Sequence, residues 1–151
     1  MKIQKARLED AKEISELKKN TIEKINKEYN RKQIAVLKKD YSVKNIIKDI
    51  EERKMFCLIN NNEILGIVSL KENGIGGLFI RSDLIRKGFG KKLLSFIENY
   101  AKKKSINKVW LYSTPYALGF YKKLGYKIIE KGTRIHNGVK FPEVKFEKKL
   151  K

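Results

Sequence analysis

The sequence predicts an α/β protein of the α+β kind, with a single mixed, mostly antiparallel sheet flanked by helices. Three observations support this prediction. Between residues 10 and 54 the apolar residues recur at the three- and four-residue spacing of amphipathic helices. Over residues 55–80 the pattern becomes that of three short strands joined by tight turns. After Gly88 the helical spacing returns, and strands and a further helix follow it.

The first part of the chain is predicted to hold one strand and three helices. Residues 2–7 form the strand, and Asp10 is assigned as the N-cap of the first helix, with Glu13 in the place of a capping-box acid. Residues 34–37 indicate a second helix, and Ser42 is expected to cap the third. The apolar positions of the first and third helices are Ala11, Ile14, Leu17, Ile22 and Ile25, and Val43, Ile46, Ile47 and Ile50.

The middle of the chain is predicted to form an antiparallel meander. Its strands are residues 55–59, 64–70 and 75–80, and the sequences between them, Asn60-Asn61-Asn62 and Lys71-Glu72-Asn73-Gly74, are typical of turns. A helix then begins at Gly88, and a strand covers residues 109–112. The apolar face of that helix consists of Phe89, Leu93, Leu94, Ile97 and Ala101.

Turn and cap residues mark the last part of the chain. Thr114-Pro115 predicts a helix start, with threonine as the N-cap and proline at the first helical position. That helix should end at Leu124, followed by Gly125 as a left-handed cap. A strand over residues 126–130 and the hairpin turn Asn137-Gly138 lead into a last strand through Val144 and Phe146.

Composition limits the classes of protein that this chain can belong to. Its 151 residues suit a single domain over 1–151, and the absence of an apolar signal segment at the N-terminus makes a cytoplasmic location the expectation. No apolar run is long enough for a membrane span, so no membrane partner is expected. Cys57 and His136, the only cysteine and histidine, cannot form a zinc site, and no metal is expected.

The formal net charge of +19 is the strongest feature of the composition. Six of the 36 basic residues are arginine, which leaves 36 − 6 = 30 lysines, and these are scattered along the whole chain. Such a surface attracts phosphate groups, so nucleic-acid binding is physically possible. Because the lysines form no block, a solvated surface is the preferred interpretation.

The segment Arg86-Lys87-Gly88-Phe89-Gly90-Lys91, after a predicted strand and at the start of a helix, suits a phosphate-binding turn. A helix start offers free backbone N–H groups and a partial positive charge, and the two glycines leave room for an anion near the backbone. The third glycine of a dinucleotide fingerprint is missing, and no G-x-x-x-x-G-K-[ST] sequence occurs. These absences disfavour nicotinamide cofactors and nucleotide hydrolysis.

About 30 residues later the chain contains Ala117-Leu118-Gly119-Phe120-Tyr121-Lys122-Lys123-Leu124-Gly125-Tyr126. With these two segments the chain resembles the GCN5-related N-acetyltransferases (GNATs), in which an R/Q-x-x-G-x-G/A turn is followed by an A-x-x-F-Y-x-x-x-G-F/Y segment. The resemblance is close over residues 55–126. It departs at the first position of the turn, which is Ile85 here, and at Thr114, where many relatives have asparagine.

The resemblance implies a GNAT-like acyl-CoA N-acyltransferase fold, with acetyl-CoA as cosubstrate and an amine as acceptor. The backbone of Leu78, Phe79 and Ile80 would pair with the pantetheine arm, in a gap beside the 109–112 strand. Tyr121 would protonate the leaving thiolate. The remaining residues assigned to cofactor binding are Arg86, Lys87, Gly88, Phe89, Gly90, Lys91 and Thr114.

The general base and the acceptor stay open at this stage. Glu72, just before the 75–80 strand, could act through a water molecule, and Glu143 and His136 are weaker candidates. The acceptor is an unidentified primary amine on a small molecule, polyamine or peptide, and the acyl group could also be propionyl or succinyl. The alternative function is a CoA sensor or a basic nucleic-acid-binding module on the same fold. The protein is expected to be a monomer or a homodimer.

Overall fold

The computed structural model describes residues 1–24 and 28–151, and these residues form one sheet with helices on both faces. The strands are β1 (Lys2–Lys5), β2 (Lys54–Asn60), β3 (Glu63–Lys71), β4 (Gly74–Ile80), β5 (Lys108–Ser113), β6 (Lys127–His136) and β7 (Val139–Lys149). The α-helices are α1 (Ala11–Lys24), α2 (Arg31–Asp40), α3 (Val43–Glu52), α4 (Phe89–Lys103) and α5 (Leu118–Lys123). The predicted fold class is confirmed.

The sheet runs in the order β1-β2-β3-β4-β5-β7-β6. Among residues 1–24 and 28–151, all neighbouring strands are antiparallel except β4 and β5, which are parallel and pair only at Gly74 and Trp110. The predicted meander is therefore β2-β3-β4. The final hairpin inserts β7 between β5 and β6, so that β6 becomes an edge strand.

Helices cover both faces of the sheet, each over its own apolar cluster. One cluster lies under α4 and includes Leu93, Ile97 and Phe146, all fully buried. The other lies under α1 and α3 and includes Ile14 and Ile46. Alternation along β2 sends Leu58 to the first cluster and Cys57, which is buried as expected, to the second. Among the described helices, none is both long and apolar enough to cross a membrane.

The predicted start of the first helix was wrong in detail. Asp10 is the last residue of a 3₁₀ turn, Leu8–Asp10, and its carboxylate accepts the backbone N–H of Arg7 at 2.8 Å. The Glu13 carboxylate instead accepts the backbone N–H of Ile64 at 2.7 Å, at the beginning of β3. Local sequence could not reveal this, because Ile64 is 51 residues away along the chain.

Thr114 also departs from its prediction, since its side chain makes no capping bond and a 3₁₀ turn, Pro115–Ala117, precedes α5. Other local predictions are confirmed. Ser42 caps α3 by accepting the N–H of Asn45, and Gly125 has the left-handed φ of +92°. Asn137 and Gly138 both have positive φ in the β6–β7 turn, as a type I′ hairpin requires. Ile25, expected on the apolar face of the first helix, lies outside the described residues.

Lys18 is a buried basic residue on α1, only 6% exposed. Its Nζ lies 4.3 Å from the ring centroid of Tyr41 and 4.9 Å from that of Phe79. Burial lowers the pKa of Lys18 to about 8. The two aromatic faces offset part of the cost of burying the charge, because their quadrupoles attract a cation.

We expect Lys18 to make the stability of the protein depend on pH. In the unfolded chain its pKa returns to about 10.4, so between about pH 8 and pH 10 the unfolded chain binds more protons than the folded one. The free energy of unfolding therefore rises with pH in this window. Relative to Lys18→Met, the wild type should gain on the order of 3 kcal/mol between pH 7 and pH 10.5, measured by urea denaturation. Parallel curves for the two proteins would contradict the assignment.

Candidate functional site

The strands β4 and β5 are held together at one end only. The ring of Trp110 lies against Gly74, so closely that a Cβ on this glycine would be 2.6 Å from the ring. Asn73 reinforces the contact: its carbonyl accepts the N–H of Trp110 at 3.1 Å, and its side-chain oxygen accepts the indole N–H at 3.2 Å. Beyond this junction the two strands form no further pairs in the described structure.

A β-bulge in β4 directs the strand away from β5. Ser69 pairs with Gly76 and Ile67 pairs with Phe79, so three steps along β4 match two steps along β3. The extra residue is accommodated at Gly77, whose φ of +58° favours glycine. Arg53 stabilises both strands beside the bulge. Its guanidinium donates to the Ser69 hydroxyl at 2.7 Å and to the Gly74 carbonyl at 3.2 Å.

The separation of the strands creates a cleft of about 550 Å³. Its walls are β4 from Ile75 to Ile80 and β5 from Leu111 to Ser113. On one face of the sheet, the start of α4 and the side of α5 border the cleft. On the other face it is bordered by Thr21 and Ile22 of α1 and by Glu28 and Tyr29 of the α1–α2 connection.

The loop before α4 presents backbone and basic groups to one end of this cleft. Arg86 and Gly88 both have left-handed φ angles, +68° and +87°, which turn the chain sharply into the helix. Gly90 allows close packing, because a Cβ there would be 3.2 Å from the ring of Phe120. Arg86 and Lys91 line the cleft and are exposed. The helix start and these two cations together favour an anion at this end.

Tyr121 lines the same cleft from α5. Its ring is 9% exposed and packs against Tyr126 and Phe146, which fix its position. Burial raises the pKa of Tyr121 to about 12, so the hydroxyl is protonated at neutral pH. Within residues 1–24 and 28–151, no hydrogen bond to another residue engages this hydroxyl, which leaves its proton available to a ligand.

Most of the residues assigned from the sequence meet in this cleft. The ones that line it are Leu78, Phe79, Ile80, Arg86, Gly88, Gly90, Lys91, Thr114 and Tyr121. Lys87 and Phe89 are not among the lining residues: Lys87 is exposed, and Phe89 packs partly buried against the core cluster under α4. Thr114 lines the cleft at the end of β5, although it does not cap a helix.

The three candidates for the general base lie elsewhere. Glu72 is exposed in the turn between β3 and β4, and it is not among the lining residues. His136 is engaged by Asp40 of α2, with 2.7 Å between Nε2 and the carboxylate. Glu143 forms an ion pair with Arg134 at 3.2 Å. The His136–Asp40 contact joins the final hairpin to α2, and the Glu143–Arg134 contact links the two strands of that hairpin. Both contacts fit a structural role for His136 and Glu143.

Sequence reasoning missed the acidic residue in the cleft. Glu28 and Tyr29 lie in the α1–α2 connection, where no spacing or motif marks them as functional. It also missed Asn73, which has the sequence position of an ordinary turn residue but joins β4 to β5 through its two hydrogen bonds with Trp110. Only the tertiary structure reveals either role, because each depends on residues distant along the chain.

A second cavity, of about 390 Å³, lies between α1 and the segment that follows β4. Several of its charged groups are already paired within the protein. Arg81 contacts Glu63 at 3.1 Å and Asp83 at 2.8 Å, and Glu13 is bound to the backbone of Ile64. The cleft between β4 and β5 is therefore the stronger candidate for the functional site.

Residues 25–149 match the family model described as an acetyltransferase (GNAT) domain. The chain belongs to the GNAT acetyltransferases. No curated protein is matched by the sequence. As a member of this family the chain is an acetyltransferase, and the prediction that it is an enzyme is confirmed.

Solved structures agree with this assignment at the level of the fold. A GCN5-related N-acetyltransferase from Rhodopseudomonas palustris has a TM-score of 0.92 at 18% identity, covering 99% of this chain and 95% of that one. The PaiA N-acetyltransferase of Thermoplasma acidophilum, in complex with coenzyme A, gives 0.80 at 22% identity and 98% coverage of both chains. An aminoglycoside 6′-N-acetyltransferase complexed with coenzyme A gives 0.74 at 15%, covering 100% of this chain and 98% of that one.

The junction between β4 and β5 in this GNAT domain can be tested with glycine substitutions. Gly74→Ala forces the Trp110 ring aside, and we expect a loss of about 1–3 kcal/mol in the free energy of unfolding. Fluorescence of Trp110, the only tryptophan, should change as well. Gly132→Ala on β6 is the matched control, since its Cβ meets no atom within 4 Å. Equal stabilities for the two variants would contradict the role of the junction.

Proposed function

We propose that this protein transfers an acetyl group from acetyl-CoA to a primary amine. The observation that carries the proposal is the cleft itself, which joins an unpaired edge of β4, the basic start of α4 and the hydroxyl of Tyr121. Coenzyme A in two solved structures of this fold supports the choice of cosubstrate. The three features match the three parts of acetyl-CoA: the pantetheine amides, the pyrophosphate and the thioester.

Each part of the cosubstrate has a chemically suitable partner. In the part of the chain that the structure describes, the backbone of Leu78, Phe79 and Ile80 has no strand partner on the β5 side, so its N–H and C=O groups can pair with the pantetheine amides. The Ile80 carbonyl also accepts a long hydrogen bond, 3.4 Å, from the Thr21 hydroxyl. The start of α4, with Arg86 and Lys91, can hold the pyrophosphate. An N–H group of β4 can also stabilise the oxyanion that forms when the amine attacks the thioester carbonyl.

Tyr121 is suited to donate a hydrogen bond, and then its proton, to the sulfur. In water a thiol has a pKa of about 8.5, well below that of the buried tyrosine, and transfer to it would be uphill. Inside the protein, however, burial raises thiol pKa values too, as it raises the pKa of Cys57 to about 12. Burial beside the Tyr121 ring disfavours the charged thiolate in the same way, so a thiolate that leaves there is a stronger base than one in water, and proton transfer from Tyr121 is less uphill.

The cosubstrate is tested by calorimetry with acetyl-CoA. We expect a dissociation constant in the micromolar range, and a value above about 1 mM would end the proposal. Turnover is followed as release of the coenzyme A thiol in the presence of amines. Propionyl-CoA and succinyl-CoA in the same assay determine the acyl group, and faster transfer from either would replace acetyl in the proposal.

The phosphate end is tested with two neighbouring basic residues. Arg86→Ala removes a cation that lines the cleft, so the dissociation constant of coenzyme A should rise about 3- to 10-fold, and more at low salt. Lys87→Ala, one residue along the chain and not among the lining residues, should change it less than about twofold. The opposite ranking of the two variants would show that the phosphates bind elsewhere.

The acid is tested with Tyr121→Phe, which removes only the hydroxyl and keeps the ring contacts with Tyr126 and Phe146. We expect kcat to fall by about 100-fold, within the usual range for loss of a general acid. Binding of acetyl-CoA by calorimetry should stay within about twofold of the wild type. Unchanged turnover would remove Tyr121 from the mechanism while leaving the cleft as the binding site.

A further inference from the structure

The cleft has a single carboxylate among its described lining residues, that of Glu28. Its two lining cations, Arg86 and Lys91, stand at the start of α4, whereas Glu28 belongs to the α1–α2 connection on the other face of the sheet. The lining charges of the cleft are thus separated by sign. An anionic cosubstrate and a cationic acceptor would find complementary charges in different parts of the same cavity.

Tyr29 and Tyr116 line the cleft together with Glu28. Tyr29 lines the cleft next to Glu28, and its ring makes an edge contact with Phe141 of β7 at 6.3 Å. Tyr116 also lines the cleft, although its side chain remains 61% exposed overall. Faces of this kind favour a cation and the apolar body that carries it. They suit an aliphatic or aromatic amine better than a strongly hydrophilic one.

The electrostatics of this region favour a proton acceptor. Glu28 is half-buried, and burial raises the pKa of its carboxyl. The charged and titratable groups that face Tyr29, and with it this end of the cleft, are Glu28, Tyr116 and Arg134. Arg134 is itself paired with Glu143 at 3.2 Å.

On the basis of the proposed function, we propose that Glu28 binds the ammonium group of a small cationic primary amine and accepts its proton. The acceptor class is then a primary amine on an aliphatic or aromatic body, held between Tyr29 and Tyr116. This assigns a catalytic residue that contacts the acceptor. It also explains how the reaction can start at neutral pH, where an alkylamine with a pKa of about 10.4 is almost fully protonated.

The protons balance in two transfers. The first proton leaves the ammonium nitrogen for a carboxylate oxygen of Glu28 and then passes to solvent. The neutral nitrogen attacks the thioester carbonyl carbon, a C–N bond forms and the C–S bond breaks. The second proton, acidic once the nitrogen is bonded to the carbonyl carbon, replaces the one that Tyr121 gives to the sulfur. The products are an amide, a neutral thiol and one proton.

The test compares Glu28→Gln and Glu28→Asp with Glu51→Gln. Glu51 is a matched control because it is exposed on α3 and lines neither cavity. The acceptors are benzylamine, phenethylamine, tyramine and spermidine, each at a series of pH values. We expect Glu28→Gln to lower kcat/KM at pH 7 by about 100-fold. Glu28→Asp should retain part of the activity, and Glu51→Gln should match the wild type.

The pH dependence distinguishes chemistry from structure. As pH rises towards 9.5, more of the amine is neutral without help, so the deficit of Glu28→Gln should shrink by about tenfold or more. A deficit that stays constant with pH would overturn the role as proton acceptor. Equal activity of Glu28→Gln and wild type would overturn the assignment altogether.

Binding of acetyl-CoA by calorimetry separates this inference from the proposed function. Glu28→Gln should bind acetyl-CoA as the wild type does, because the carboxylate is on the acceptor side. If the wild type binds acetyl-CoA but acetylates none of the four amines, the substrate class is wrong and the cosubstrate stands. If acetyl-CoA does not bind, the proposed function itself fails.

Discussion

The site depends on a single contact between two parallel strands. Trp110 lies on Gly74, and Asn73 bonds both the backbone and the indole of the tryptophan. One end of the β4–β5 pair is closed by this contact, and the bulge at Gly77 turns the rest of β4 away. A sheet with a full β4–β5 ladder would have no opening here, and a sheet without the junction would lose its continuity. The cleft exists because the strands meet once and then diverge.

The distribution of charge in the cleft matters more than the total charge of the protein. A net charge of +19 repels a cationic amine at long range, but salt screens this repulsion beyond about 8 Å at physiological ionic strength. Inside the cleft the nearest charges dominate. Arg86 and Lys91 favour phosphate near α4, and Glu28 favours an ammonium group on the other side. Under the proposed role of Glu28, a strongly basic protein would in this way present a carboxylate to a cationic acceptor.

Sequence was most informative where structure is set by neighbours along the chain. The hairpin turn at Asn137-Gly138, the cap at Ser42 and the left-handed Gly125 follow from local backbone preferences, and all three are confirmed. Prediction failed where a partner is distant. Glu13 was assigned to its own helix but accepts the N–H of Ile64, 51 residues away. The cap at Thr114 failed for a local reason, because residues Pro115–Ala117 form a 3₁₀ turn before α5.

The residues of the candidate site likewise divide into those that sequence motifs could assign and those that only the tertiary structure places. Residues at the start of α4 and on α5 belong to two spaced motifs, so sequence could assign them, and most of them line the cleft. Glu28 has no motif, and its position follows only from how Glu28 and Tyr29 lie beside β4 and β7. The turn residue Glu72 was a reasonable candidate from its place before a strand. It lies, however, at the closed end of the β4–β5 pair, next to the Gly74–Trp110 contact, and β4 lines the cleft only from Ile75 onwards.

Because β4 diverges from β5, the cleft passes through the sheet and connects its two faces. One opening is bordered by α4 and α5, the other by α1 and by Glu28 and Tyr29. Under the proposed function, donor and acceptor enter from opposite sides and need not exchange places. The cleft can then hold a ternary complex, in which the acetyl group passes directly between them without a covalent acetyl-enzyme. The chain's one cysteine, Cys57, is buried in the core cluster under α1 and α3, away from that route.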